Sequence, residues 1–382
     1  MPPLQTKEEY DAAIIGGGLA GLSLSIQLAR LGYRIIVFEK EEYPFHKVCG
    51  EYISFESWGF LNNLGLDLEK MNLPVITQLQ LSTTRGEILQ QKLPLGGFGI
   101  SRYLLDFSLA EIARLAGVFV EENTKVMEVL FSESIFTIDT GEQSYTAKVV
   151  CGSYGKRSNI DIKWKRPFTM ASKNKLNNYI GVKYHIKTIF PADTIALHNF
   201  DNGYCGIVKI EEDKYNLCYL TTAANLQKSK GNIKEMERSV LASNPHIKKI
   251  FTESEFLLET PVTISQISFD KKEQVENHVL MIGDAAGMIT PLCGNGMSMA
   301  LHGSKLAAEV VHRFLQGQIS RVEMEEQYIR QWQQHFSRRL KIGRMIQRLF
   351  GNRWLTDVFI SFLKPHPKIA DLLIRQTHGK PF

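Results

Sequence analysis

Residues 11–21, DAAIIGGGLAG, place a cluster of glycines directly after a short apolar run. The apolar run over residues 11–15 predicts a strand, and the helical spacing of apolar residues over 22–31 predicts a helix directly after the glycines. A second apolar run at residues 35–38 completes a β-α-β unit. Because connections between parallel strands are right-handed, this order predicts a parallel sheet at the start of the chain.

The glycines follow the pattern G-x-G-x-x-G at Gly16, Gly18 and Gly21. The first glycine suits a tight turn, the second lets the backbone approach a pyrophosphate, and the third allows close packing of helix on strand. The helix N-terminus then presents N–H groups and the positive end of its dipole to the phosphates. Glu39 ends the second strand, where a carboxylate accepts hydrogen bonds from the ribose hydroxyls of an adenosine. The unit therefore predicts a site for FAD or NAD.

The composition is that of a folded protein with a sizeable core, since 44% of the 382 residues are hydrophobic and 22% are charged. The length suits two domains or one large α/β body with an inserted sheet. The five cysteines contain no C-x-x-C pair, which argues against a disulfide framework. The first twelve residues are polar and no apolar run approaches 20 residues, so we expect neither a signal peptide nor a spanning helix. A cytoplasmic location is expected.

The net charge of +5 is unevenly distributed, because residues 330–382 hold eleven Lys or Arg and only two acids. Such a tail is most often a solvated helical face, and peripheral contact with an anionic membrane is the alternative. Nucleic acid is not expected as a partner. The ten histidines show no H-E-x-x-H or other metal spacing, so no metal is expected either.

The remaining sequence alternates between two characters. Polar-apolar alternation over 75–95 predicts an excursion to another sheet, and an amphipathic helix follows at 104–115. Short alternating strands then predict an antiparallel second domain, at residues 179–187, 194–200, 204–210 and 215–221. An apolar strand at 278–282 and a helix at 297–314 resume the α/β pattern.

These segments predict three parts. Residues 1–74, 98–162 and 270–320 are expected to form a discontinuous nucleotide-binding domain, residues 75–97 and 163–269 a substrate-binding sheet domain, and residues 321–382 C-terminal helices. In the last part Tyr328, Trp332, Phe336 and Leu340 share one helical face through their i,i+4 spacing.

A second glycine-rich site follows the late strand, with Gly283-Asp284-Ala-Ala-Gly before Pro291-Leu-Cys-Gly294-Asn-Gly296. Together with the first motif and an Arg-x-x-x-Asp helix start at Arg102, it resembles FAD-binding proteins of the para-hydroxybenzoate hydroxylase fold. That group includes group A flavin monooxygenases, flavin-dependent halogenases and geranylgeranyl reductases. The resemblance implies FAD and a mixed α/β fold: a Rossmann-like FAD-binding domain of the GR2 type, an inserted, mostly antiparallel substrate sheet, and a helical C-terminal segment.

The resemblance also implies roles for individual residues. Asp284 would bind a ribityl hydroxyl, and the backbone of residues 294–297 would lie along the flavin N1 and C2 carbonyl edge, where a helix N-terminus stabilises negative charge. Arg102 would neutralise phosphate charge, and the backbone of Val126 would contact adenine. The expected cofactor-binding residues are Gly16, Gly18, Leu19, Ala20, Gly21, Glu39, Lys40, Lys47, Cys49, Gly50, Arg102, Val126, Gly283, Asp284, Pro291, Gly294, Asn295, Gly296 and Met297.

The stretch Lys47-Val-Cys49-Gly50 resembles the Lys-x-Cys-Gly segment of geranylgeranyl reductases, which passes near the pyrophosphate and the flavin. Cys49 is either a reactive thiol or a small buried apolar side chain. No catalytic residue is assigned, and the residues expected nearest the flavin are Cys49, Gly294, Asn295 and Gly296. Glu51 echoes a Gly-Glu pair of halogenases.

The sequence departs from these relatives at two places. Tyr154 stands where the monooxygenases carry the aspartate of an Asp-Gly motif, which counts against NAD(P)H as the transient reductant in the usual manner. The second domain has Tyr204-Cys-Gly in place of the Tyr-x-Trp-x-Phe-Pro signature of the reductases, and the Trp-x-Trp-x-Ile-Pro signature of the halogenases is also missing.

The first functional hypothesis is an FAD-dependent monooxygenase that oxygenates an apolar or aromatic small molecule through a flavin C4a-hydroperoxide. The substrate pocket would lie between flavin and second sheet, with Tyr204, Cys205 and Tyr219 in its wall. The alternatives are a reductase of prenyl or lipid double bonds, a halogenase-like enzyme, and a flavin-binding partner without catalysis.

Overall fold

The computed structural model describes residues 9–170, 178–289, 295–349, 353–377 and 379–382. In chain order the strands are β1 (Glu9–Ile15), β2 (Ile35–Phe38), β3 (Tyr52–Ser54), β4 (Val75–Ser82), β5 (Ile88–Gly99), β6 (Phe119–Glu121), β7 (Glu128–Ser132), β8 (Ile135–Asp139), β9 (Ser144–Gly152), β10 (Tyr179–Lys187), β11 (Thr194–Phe200), β12 (Gly203–Lys209), β13 (Tyr215–Thr222), β14 (Glu255–Phe256), β15 (Val262–Ile267), β16 (Val275–Glu276) and β17 (Val279–Met281).

The α-helices are α1 (Leu19–Arg30), α2 (Trp58–Asn63), α3 (Arg102–Leu115), α4 (Asn159–Lys163), α5 (Pro167–Met170), α6 (Ala223–Lys228), α7 (Ile233–Ser239), α8 (Pro245–Glu253), α9 (Gly296–Leu315), α10 (Arg321–Leu349), α11 (Arg353–Leu363) and α12 (Pro367–Thr377). Short 3₁₀ turns occur at Phe55–Ser57, Leu241–Ser243 and Gly283–Ala285. Within the described ranges, no helix combines the length and apolar character needed to cross a membrane.

The first sheet has the order β16-β17-β9-β1-β2-β6; β8 also pairs with β9, and β7 pairs with β8. Strand β1 pairs in parallel with β2 and β9, and β9 pairs in parallel with β17. The carboxyl ends of parallel strands meet at one edge of a sheet, which is where such sheets bind ligands. Gly16, Glu39, Ser153 and Gly283 therefore lie at the same edge.

The second sheet has the order β14-β10-β13-β12-β11-β4-β5-β3, and β15 also pairs with β10. Its pairs are antiparallel except β4 with β11. One face packs on α7 and α8 through residues such as Tyr219 and Met236. The other face carries a second apolar cluster around Tyr204. Because both faces are covered, the strands are buried on both sides.

The mixed α/β fold predicted from the sequence is confirmed, and β10 and β11 have the predicted bounds. Helix α3 begins at Arg102, two residues before the predicted start at residue 104, because the Ser101 hydroxyl caps it by accepting from the Leu104 amide. Strand β3 is different. It falls within the range 1–74 predicted for the first domain, yet it pairs with β5 in the second sheet. Three residues are too short a run for alternation to indicate a strand.

The C-terminal helices pack on both sheets. Tyr328, Trp332, Phe336 and Leu340 are all buried in the core of the first domain, which confirms the predicted apolar face of α10. Helices α11 and α12 pack instead against β5 of the second sheet, through Ile360, Leu363 and Ala370.

Candidate cofactor and substrate site

The turn between β1 and α1 admits only glycine at two positions. Gly16 has a φ of +103°, and a Cβ there would lie 2.6 Å from the Ser153 carbonyl oxygen. A Cβ on Gly21 would lie 2.1 Å from the Gly16 carbonyl oxygen. The hydroxyl of Tyr43 donates to the Gly17 carbonyl oxygen and fixes the turn from the other side. Both geometric roles predicted for these glycines are therefore present.

Two cations converge on Gly18, the second glycine of the motif. A Cβ on Gly18 would lie 3.5 Å from Nη2 of Arg102 and 3.7 Å from Nζ of Lys47. Both cations are held by Asp106, which accepts two 2.7 Å hydrogen bonds from Arg102 and pairs with Lys47 at 3.2 Å. Burial alone raises the pKa of Asp106, but Arg102 and Lys47 outweigh it and hold that pKa below its usual value. Lys47 also lies 3.7 Å from Glu39, so it joins the two carboxylates, and the two cations beside Gly18 at a helix N-terminus fit a diphosphate.

The Glu39 carboxylate is buried and oriented by backbone amides. Its Oε2 accepts from the Gly17 amide over 3.0 Å, and its Oε1 accepts from the Lys40 amide over 2.9 Å. This orientation at the end of β2 fits the ribose of an adenosine. The Lys40 side chain points to solvent, where it pairs with Glu41, so only its backbone contributes. Val126 lies between β6 and β7 rather than in a strand, and its carbonyl accepts from Asn159 over 3.1 Å.

The second glycine site lies at the end of β17, where Gly283 has a φ of +62°. Lys272 donates to the carbonyl oxygens of Asp284 at 2.8 Å and Lys156 at 2.6 Å. Burial raises the pKa of Asp284, while the charges of Lys272, Arg102 and Lys156 oppose that rise. Burial also lowers the pKa values of Lys272 and Lys156 to about 8. Neither lysine lies in a motif, so the sequence alone does not indicate this pair.

Tyr154 supports the same loop. Its hydroxyl donates to Oδ1 of Asp161 over 3.1 Å, and Asp161 pairs with Arg166 at 2.8 Å. Arg166 is almost fully buried and donates to the Ala285 carbonyl oxygen over 3.2 Å. The residue that replaces the family's aspartate thus belongs to a buried network that holds the turn at Gly283–Ala285.

Glu51 connects the cofactor side of the molecule to the second sheet. It is fully buried, has a φ of +55°, and accepts from the Arg102 amide over 2.8 Å. It also pairs with His185 at 2.7 Å and with the fully buried Lys183, both on β10. Lys183 donates further to the Lys47 carbonyl oxygen over 3.1 Å. Burial alone raises the pKa of Glu51, but Lys183 and His185 reverse that effect and hold it below its usual value.

Cys49 lies in the same connecting segment. Its carbonyl oxygen accepts from Asn216 of β13 over 3.1 Å, which places it at the boundary between cofactor side and second sheet. Burial raises the pKa of its thiol, with Arg102 opposing, so the thiol is protonated at neutral pH. Gly50 is exposed, and a Cβ there would contact nothing within 4 Å.

The start of α9 continues the site. Asn295 is fully buried and occupies the N-cap position, and Gly296 and Met297 open the helix. Leu19 and Ala20 open α1, and Ala20 packs close to Gly283. Two residues of the predicted site, Pro291 and Gly294, lie outside the described residues.

The predicted substrate wall needs a correction. Cys205 and Tyr219 lie on the face of the second sheet that packs on α7 and α8, where Tyr219 donates to Glu237 over 2.8 Å. Tyr204 lies on the opposite face because adjacent residues of a strand point to opposite sides. The cluster on its face consists of Tyr179, Leu197, Tyr204, Leu220, Ile267 and Phe269, with Met288 packed against it. We name this set the Tyr204 wall.

The two lysines at the Asp284 loop predict a pH dependence. As the pH rises through about 8, Lys156 and Lys272 lose their positive charges, so affinity for an anionic dinucleotide falls. We expect FAD affinity to drop about tenfold between about pH 7 and 9.5, since one charge contact contributes on the order of 1.4 kcal/mol. Titration of the FAD-free protein by flavin fluorescence measures this.

The control is Lys156→Met, which removes one of the two titrating charges and should flatten the dependence. Burial alone lowers the pKa of Arg102, but Asp106 raises it above its usual value, so Arg102 stays charged over this range and preserves part of the affinity. An affinity that does not change with pH in the unaltered protein would contradict the role of the two lysines.

Comparisons with known proteins also indicate a site for FAD. A family model described as FAD binding domain matches residues 9–331. Conditioned medium factor receptor 1 of Dictyostelium discoideum is 25% identical over 81% of this chain, which spans 64% of that protein's length. Digeranylgeranylglycerophospholipid reductase of Methanosarcina acetivorans is 23% identical over 91% of this chain and 86% of its own. The solved structure of the flavin-dependent brominase Bmp2 aligns with a TM-score of 0.76 and 19% identity over 97% of this chain and 93% of that chain.

Proposed function

Because the chain belongs to the FAD binding domain family and is an FAD-dependent oxidoreductase, we propose that it is a monooxygenase acting on an apolar substrate. FAD supplies the redox chemistry when bound, and the protein supplies binding, orientation and a dry pocket. Lys47 and Arg102 would hold the diphosphate, Glu39 the adenosine ribose, and Asp284 the ribityl chain. The cradle at Gly18 and the two cations beside it support this assignment.

The Tyr204 wall is the observation that carries the choice of substrate. It is joined to the second glycine site through Met288, which packs against it and lies four residues after Asp284. Apolar and aromatic side chains bind an apolar substrate and exclude water from the redox centre. Among the described residues of the wall no side chain is charged, so the substrate would be held by shape and apolar contact rather than by ion pairing.

The test is substrate-dependent oxygen uptake by the FAD-loaded protein, with alkylated phenols and quinols as probes. The protein is first reduced anaerobically with NADH, NADPH or one equivalent of dithionite and then mixed with aerated buffer. We expect uptake to rise with alkyl chain length, and ¹⁸O₂ to label the product. Saturation of a prenyl double bond under anaerobic conditions, without oxygen uptake for any probe, would contradict oxygen transfer.

Reduction of a lipid carbon–carbon double bond is the second candidate, favoured by the protonated thiol of Cys49. In that reaction one carbon would receive a hydride equivalent from FAD that an added donor such as dithionite has reduced. Cys49 would donate a proton to the other carbon before its thiolate regains a proton from solvent. The similarity to a protein named as a digeranylgeranylglycerophospholipid reductase extends over most of both chains. The similarity to the brominase structure is one of fold.

This candidate predicts the effect of Cys49→Ser. Loss of a positioned proton donor should lower the rate of double-bond reduction by about 100-fold and leave FAD binding intact. Anaerobic turnover with geranylgeranyl lipids, followed by mass spectrometry, measures the rate. The matched control is Cys218→Ser, at another partly buried free thiol. Equal rates for both variants would exclude Cys49 as the donor.

A further inference from the structure

Helices α11 and α12 each carry two apolar faces. The inner face is buried against the second sheet, where Ile360, Leu363 and Ala370 form a cluster with Leu89 of β5. A helix that packs on a protein core needs only this one apolar face, with polar residues on the other. The opposite side of both helices does not follow that pattern.

The outer side presents large apolar side chains to solvent. Trp354 is 69% exposed, Phe362 is 50% exposed and Leu372 is 54% exposed. In α11 the exposed positions 354, 358 and 362 recur every four residues, which aligns them along one side of the helix. We name the set the outer stripe, and it consists of Trp354, Val358, Phe362, Ile369 and Leu372. Single exposed apolar residues are ordinary, but an aligned row marks an interaction surface.

Cations surround the outer stripe. Arg353, Lys368 and Arg375 are exposed on the same two helices, and Lys364 is exposed in the turn between them. Two acids lie on these helices: Asp371 pairs with Arg375 at 2.7 Å, and Asp357 accepts from the Thr84 amide over 2.9 Å, so four cations stand against two carboxylates. The surface is therefore apolar and net positive.

We propose that α11 and α12 form a membrane-docking surface whose outer stripe inserts into the interface of an anionic bilayer. Amphipathic helices with Trp, Phe and Leu on one side and flanking Lys or Arg bind in this way, and juxtaposed cations add attraction to anionic lipids. A purely apolar protein partner would not require this ring of positive charge.

The docking surface lies close to the Tyr204 wall, so docking would serve substrate entry. This step rests on the proposed function. Leu81 packs both with the Tyr204 wall and with the cluster beneath α11 and α12. Leu79 also packs with that wall, and it belongs to the cluster that includes Ile374 of α12. The docking helices thus adjoin the substrate wall, so an apolar substrate dissolved in the bilayer would enter from the membrane side.

The experiment is co-sedimentation of the full-length, FAD-loaded protein with vesicles of phosphatidylcholine alone or with about 30% phosphatidylglycerol. We expect strong binding to the anionic vesicles only, weakened by salt. The double variant Trp354→Glu, Phe362→Glu should lower binding to anionic vesicles at least tenfold. The matched control is Leu115→Glu, because Leu115 is 89% exposed on α3, away from the stripe.

Several outcomes would overturn the proposal. These are absence of binding to anionic vesicles, equal loss of binding in the Leu115→Glu control, or a shift from dimer to monomer in the stripe variant without any vesicle binding. Activity with a short-chain, water-soluble phenol separates the two proposals. If the stripe variant retains that activity and loses only activity on bilayer-dissolved substrate, docking is supported; if no probe is oxidised by any form, the proposed function fails while the vesicle result still stands.

Discussion

FAD binding to a Gly18→Glu variant is expected to be at least about 100-fold weaker than binding to the unaltered protein. The new carboxylate would occupy the diphosphate position and pair with Arg102 and Lys47, whose charged atoms lie 3.5 and 3.7 Å from the Cβ site. A carboxylate beside two cations replaces attraction for phosphate with repulsion. Fluorescence titration of FAD against the FAD-free protein measures the loss.

The fold of this variant should survive, since those distances are ordinary contacts. Gly18→Ala adds the Cβ without charge, so it should weaken FAD binding through crowding of the diphosphate, but by less than Gly18→Glu. Gly59→Glu adds the same charge on α2, where a Cβ would meet nothing within 4 Å, and should bind FAD normally. Unchanged affinity in Gly18→Glu would show that the glycine turn does not hold the diphosphate.

The second large effect concerns stability. Replacing Glu51 with glutamine should lower the free energy of unfolding by about 3 kcal/mol, because it leaves the buried ammonium of Lys183 without its counter-charge. Urea denaturation of the FAD-free protein measures the change. The double variant Glu51→Gln, Lys183→Met removes both charges and should recover much of the loss. If the loss of unfolding free energy in the double variant equals or exceeds the sum of the losses in Glu51→Gln and Lys183→Met, the two residues are not paired.

The same carboxylate predicts an acid dependence. A pKa held below the usual value of 4.5 contributes stability that is fully present above pH 4.5 and is lost as the pH falls through the lowered pKa. The stability difference between the unaltered protein and Glu51→Gln should therefore shrink in acid. A constant difference down to about pH 3 would show that Glu51 is not ionised in the folded protein.

Local sequence was sufficient for the first half of the site. The turn at Gly16–Gly21 and the carboxylate of Glu39 belong to one short β-α-β unit, so spacing alone brings them together. Lys156, Lys272 and Arg166 come from separate loops, and they meet only because parallel strands end at a common edge. No sequence spacing therefore predicts that these three residues lie close together.

The second sheet shows a different limit. Its strands are buried on both faces, so a solvent-facing side does not mark which of Tyr204 and Cys205 faces the cofactor. One feature of the sequence could have indicated the cluster around Glu51. Lys183 and His185 occupy alternate positions in an otherwise mostly apolar strand. Two ionisable residues on one face of a buried strand predict a buried partner, and that partner lies far away in the sequence.

The ion pair of Glu51 with β10 limits which chimeras between relatives can fold. The carboxylate of Glu51 belongs to the segment that leads into the cofactor site, and its partners Lys183 and His185 belong to β10 of the second sheet. A chimera that receives a foreign substrate sheet without Lys183 and His185 would bury an unmatched carboxylate at the seam. Recombination between relatives should therefore succeed only where Glu51, Lys183 and His185 all come from the same parent. The three residues must be exchanged together despite their distance in the sequence.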